Sequence, residues 1–172
     1  MYLAAVAAAL GGCAGQAGVI VSPAATLPAN ESAAAFLDRV SSVSQVSEND
    51  AIRGVLLLVD GKDNAASFED RVGLLQRKAI APSGWDFDAD KPITRGKLAY
   101  MIYKSCQVPG GATLTLFGPS QWYCLKELQY QGFFSPGPAL SPVTGMEYVA
   151  VINRADSYLA TGEIPDILLA RQ

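Results

Sequence analysis

The feature that most constrains this chain is a unit of helix, acidic loop and second helix that occurs twice. The clearer copy runs from Phe68 to Cys106, and a degraded copy runs from Gln121 to Tyr158. In the first copy Phe68, Val72, Leu75 and Ala79 stand three or four residues apart, which places them on one helical face. Thr94 is positioned to cap the second helix, with Ile93 before it as a staple onto Leu98. Leu98, Met101, Ile102 and Cys106 continue one apolar stripe. The second copy follows the same grammar: Thr144 and Glu147 form a T-x-x-E capping box, Val143 and Tyr148 are the staple pair, and Tyr148, Val151, Ile152, Ala155 and Leu159 make the stripe. Leu75 aligns with Leu128, Gln76 with Gln129, and ITRGKLAYMI aligns with VTGMEYVAVI. A helix pair repeated at about 50 residues cannot bury both faces alone, so the copies are expected to pack together.

At these residues the chain resembles the S-layer homology family, whose repeats are helix–loop–helix units with a T-R-A-E-like start to the second helix. Thr94, Arg95, Gly96 and Lys97 stand at that motif. The resemblance implies threefold packing of repeats around grooves that hold anionic cell-wall polysaccharide, with Arg95 as a principal contact and Thr94 beside it. Three departures are visible: two repeats are recognisable, Lys97 replaces the motif glutamate, and Gly145 replaces the arginine in the second copy.

Independent of the resemblance, a guanidinium at a helix start suits bidentate binding of a carboxylate or phosphate. The competing role for Arg95 is an ion pair with Asp86, Asp88 or Asp90. Those three aspartates have the D-x-D-x-D opening of a calcium loop, but Lys91 stands where glycine is needed and Lys97 where the bidentate glutamate is needed. A solvated loop is the preferred reading, and no cofactor is expected. Trp85 is suited to stack on a sugar or to plug the edge of the core.

Of 172 residues half are hydrophobic and 17% are charged, with a formal net charge of −3, so a nucleic-acid partner gains no electrostatic support. Histidine is absent, which removes the commonest general base and transition-metal ligand and argues against an enzyme. Tyr2 to Leu10 is an apolar run too short to span a bilayer. It ends in Leu10-Gly11-Gly12-Cys13, similar to a bacterial lipoprotein signal but without the usual basic start. That likeness implies acylation at Cys13, export, and a lipid anchor in the cell envelope.

Residues 14–29 read as an Ala, Gly, Ser and Pro tether. The rest, 30–172, is expected to be a small all-α domain of about five to six helices, with repeats at about 67–106 and 120–159. Asn30 caps a helix through about Val43, with Ala33, Phe36, Leu37 and Val40 on one face. Ser47 and Asp50 open another, striped by Ile52, Val55, Leu56 and Val59, which Asp60-Gly61 stops. Thr113 to Phe117 reads as an extended connector, and Ser120 caps a helix that ends at Gly132. The tail from Gly162 holds Ile164, Ile167, Leu168 and Leu169. Cys106 and Cys124 leave two states open, a disulfide closing the loop between adjacent helices or two buried free thiols. The expected function is non-catalytic binding of wall polysaccharide or an envelope partner; the alternative is a protein–protein scaffold that binds no polymer.

Overall fold

A computed structural model describes residues 31–163. The signal segment with Cys13, the tether, the Asn30 cap and the apolar tail beyond Glu163 lie outside the described residues. Among the described residues seven helices form an all-α domain: α1 (Ala33–Ser41), α2 (Glu48–Asp60), α3 (Phe68–Arg77), α4 (Arg95–Cys106), α5 (Ala112–Phe117), α6 (Gln121–Tyr130) and α7 (Gly145–Thr161).

Most boundaries follow local chemistry. Ser32, Ser47, Ser67, Thr94, Ser120 and Thr144 each accept, through the side-chain hydroxyl, the backbone N–H three residues on. The helix over 33–41 is thus capped by Ser32. Gly61 and Gly162 close α2 and α7 in the left-handed conformation that glycine adopts freely. Ala79 does not continue the stripe of α3: the helix ends at Arg77, Ala79 is exposed at φ 54°, and Ile80 is the residue that turns inward. Val59 and Leu159, expected on buried stripes, are exposed at their helix ends. Thr113 to Phe117 is helical, not extended; its alternation yields because only Leu114 is buried, against α6.

The architecture contains a third helix–loop–helix unit. α1–α2 joins α3–α4 and α6–α7, and α5 is an addition between the second and third units. The second helix of each unit packs on the first helix of the next: α2 on α3, α4 on α6, and α7 back on α1. α2, α4 and α7 also pack on one another, so the arrangement closes as a pseudo-threefold. Their apolar stripes supply the centre, where Ile52, Val55, Leu98, Met101, Ile102, Tyr148 and Val151 are all fully enclosed.

A ring of three backbone hydrogen bonds ties the units together. The Val46 N–H donates to the Val143 carbonyl at 2.9 Å, Val143 to Ile93 at 3.0 Å, and Ile93 to Val46 at 2.8 Å. Each residue immediately precedes an N-cap, and each is 0% exposed. The first N–H of each following helix is also satisfied by a neighbouring unit: Glu48 donates to Lys91, Arg95 to Ser141, and Gly145 to Val43. Gly145 is where the third unit meets the first. A Cβ there would lie 2.9 Å from the carbonyl oxygens of Ser41 and Val43 and would collide with that of Val40. Main chain cannot swing aside as a side chain does, so Gly145→Ala is expected to lower stability by about 3 kcal/mol, read by urea unfolding.

Candidate functional site

The starts of α2, α4 and α7 bring together the residues expected to carry function. Thr94 is a helix cap, its Oγ1 accepting from the Lys97 N–H at 3.3 Å. Arg95, the first residue of α4, is buried at 5% exposure. Its Nη2 reaches Glu147 Oε1 at 2.8 Å, donates to the Ser135 carbonyl, and lies 3.2 Å from Ser135 Oγ. The guanidinium also faces the Phe134 ring at 5.9 Å. The partner of Arg95 is therefore a carboxylate of the third unit, not Asp86, Asp88 or Asp90. Gly137 makes room for it, because a Cβ there would overlap the guanidinium.

Lys97 plays the reciprocal part toward the first unit. Its Nζ lies 2.6 Å from Glu48 Oε1 and 3.0 Å from the Asp86 carbonyl. The Glu48 side chain is 1% exposed and Lys97 15%. Glu48 Oε2 accepts the Asp88 N–H at 2.8 Å. Glu48 and Arg95 are the first residues of their helices, and Lys97 and Glu147 are the third residues of theirs. The two joints thus use the same positions with opposite polarity: acid to base between the first and second units, base to acid between the second and third. The third joint has Gly145 at the first position, which permits the close backbone approach. Lysine at 97 matches the buried acid at 48, and a glutamate at 97 would face that acid instead.

The acidic loop keeps its three aspartates at the surface. Asp86, Asp88 and Asp90 are exposed, and Asp88 Oδ1 accepts the Asp90 N–H at 3.1 Å, a turn within its own loop. Among the described residues no three acidic or thiol side chains converge to hold a metal ion. Trp85 is half-buried, packed against Phe87 and Tyr100 with centroids 5.8 and 5.0 Å away. Lys97 Nζ stands 4.7 Å from the Phe87 centroid and 5.9 Å from that of Trp85. Trp85 therefore closes the core edge beside the Lys97–Glu48 pair.

Cys106 and Cys124 are buried free thiols, and no disulfide joins them. Burial pushes both thiols up to about 12, so neither is an activated nucleophile. Burial, and then the Asp50 charge, raises Tyr148 well above the usual phenol range; its hydroxyl donates to the Ala51 carbonyl at 3.0 Å.

Sequence reasoning missed Glu48 and Glu147 as partners, because each pair joins residues of different units. A usable signal was present in the V-S-E-N-D start of α2, which follows the same order as I-T-R-G-K and V-T-G-M-E. An exposed aromatic group also emerges on α5 and α6: Phe117 stacks on Tyr123 at 5.8 Å, and Trp122 meets Tyr123 edge-on at 5.2 Å. Phe117, Leu116 and Trp122 are more than half exposed. No helix of the described residues is long and apolar enough to cross a membrane. A scan against protein-family models finds no match, and neither curated proteins nor solved structures include one similar to this chain.

If the joints work as paired charges, Lys97→Glu alone is expected to cost about 3–5 kcal/mol by leaving buried Glu48 opposed. Adding Glu48→Lys is expected to restore part of that loss, with a coupling energy of about 1–3 kcal/mol in a double-mutant cycle.

Proposed function

We propose that this protein is a non-catalytic envelope lipoprotein whose helical domain is a structural interaction module, held at a membrane by lipid on Cys13. The observation that carries this reading is the enclosure of Arg95. The side chain that would reach an anionic polymer is 5% exposed and engaged by Glu147 and Ser135 of the neighbouring unit. A charge so placed acts on the fold, since its removal leaves Glu147 and the Ser135 hydroxyl short of a partner. The exposed group of Leu116, Phe117 and Trp122 is an apolar surface available to a protein partner. The absence of histidine and the protonated state of the two buried thiols support a non-catalytic role.

Binding of anionic cell-wall polysaccharide is a second reading, favoured by the pseudo-threefold order of helix–loop–helix units. That order matches what the resemblance to the S-layer homology family implies. In this reading the grooves between units receive the polymer, with Thr94, Trp85 and the Arg95 edge as contacts.

Arg95→Ala separates the two. A clasp between units predicts a melting temperature lowered by several degrees, corresponding to about 3 kcal/mol for breaking a buried pair, and no change in co-sedimentation with isolated wall fragments. A polymer contact predicts co-sedimentation of the wild type that weakens with salt and falls in the variant, while the melting temperature stays nearly constant.

A further inference from the structure

A concavity lies where the amino end of α1 meets the carboxyl end of α2. It has a volume of about 360 Å³, and Glu31, Ser32, Arg53, Lys62, Asp63 and Asn64 line it. Two of these side chains carry buried polar atoms without a hydrogen-bond partner: Nε of Arg53 and Oε2 of Glu31. The Arg53 side chain is 4% exposed, and that of Glu31 is 7% exposed. Arg53 and Glu31 both line this cavity, and a buried donor and a buried acceptor without partners are costly unless something completes them.

The neighbours of Arg53 do not complete it. Asp63 Oδ2 lies 3.8 Å from Arg53 Nε, an ion pair but beyond hydrogen-bond reach. The same oxygen accepts from Arg71 Nε at 2.7 Å, and Asp63 Oδ1 accepts the Ala65 N–H at 3.1 Å. Two guanidinium groups therefore converge on one carboxylate. Phe36 covers one face of the Arg53 guanidinium at 4.9 Å, which fixes its plane. On the opposite charge, Arg39 holds Glu31 through Oε1 and leaves Oε2 open. Lys62 adds positive charge to the lining.

We propose that this cavity binds a small carboxylate bearing a hydrogen-bond donor on the adjacent carbon, as in an α-amino or α-hydroxy acid. The ligand carboxylate pairs with Arg53, assisted by Lys62, and the α-substituent donates to Glu31 Oε2. An ammonium makes the stronger contact with a carboxylate than a hydroxyl does, because both partners are charged. The site is independent of the starts of α2, α4 and α7, and it stands whether or not the protein binds a wall polymer.

Alanine, lactate and propionate form a test series of similar size that differs at the α-carbon. Each is titrated into the full chain while the Arg53 Nε–H signal is followed by NMR. The expected result is a saturable shift with alanine, binding roughly tenfold tighter than propionate, with lactate between them. Glu31→Gln is expected to abolish the preference for alanine, whereas Arg39→Gln, which removes only the partner on the other oxygen, is expected to keep it. Glu31→Gln keeps the size of the side chain and Arg39 is more than half exposed, so neither change removes core packing. Equal binding of alanine and propionate, a preference that survives Glu31→Gln, or no saturable shift up to about 50 mM of any of the three would overturn the assignment.

Discussion

The ring of hydrogen bonds among Val46, Ile93 and Val143 is the constraint on which the other features depend. A buried backbone N–H without an acceptor is costly, and these three residues sit at the centre of the domain with no helix or sheet of their own to satisfy them. Each finds its acceptor only in another unit, so no unit completes its loop until all three are assembled. The same closure aligns the N-caps of α2, α4 and α7. Those helix starts then share one end of the domain, and first and third residues from neighbouring units come within reach.

Charge complementarity follows from that geometry. Glu48–Lys97 and Arg95–Glu147 occupy corresponding joints with reversed sign. Lys97 and Gly145 look like losses when each unit is compared with a motif. Both are consistent once the joints are considered: lysine at 97 faces the acid at 48, and glycine at 145 admits the end of α1. What such a ring does outside the fold depends on its surfaces. The arginine at the motif position is turned inward, while the α5–α6 aromatic group and the Glu31–Arg53 cavity face outward.

Much of this was legible from residues, because local rules decide much of it. The caps at Ser47, Thr94, Ser120 and Thr144, the stop at Gly61, the stripe of α4 and the stripe of α7 as far as Ala155 rest on interactions within three or four positions, and all are present. The first unit escaped notice because its connection from α1 to α2 is short, which breaks the spacing that links the other two. The α5 segment carries threonines alternating with leucines, a pattern set aside when its ends are anchored by Gly111 and Gly118 and one leucine is buried. Ala79 sits where the matching unit has Gly132, both with positive φ, so the turn was visible only at the aligned position, and the helical spacing of Ala79 concealed it. The partners of Arg95 and Lys97, and the open atoms of Arg53 and Glu31, depend on chain closure, and no local pattern announces them.

Native-state amide hydrogen exchange at Val46, Ile93 and Val143 tests the closed ring most directly. If the three hydrogen bonds form one cooperative lock, these amides exchange only through global unfolding, with one shared opening free energy equal to that from urea denaturation. Exchange of any one of them through a local opening, with the other two still protected at the global level, would contradict the account.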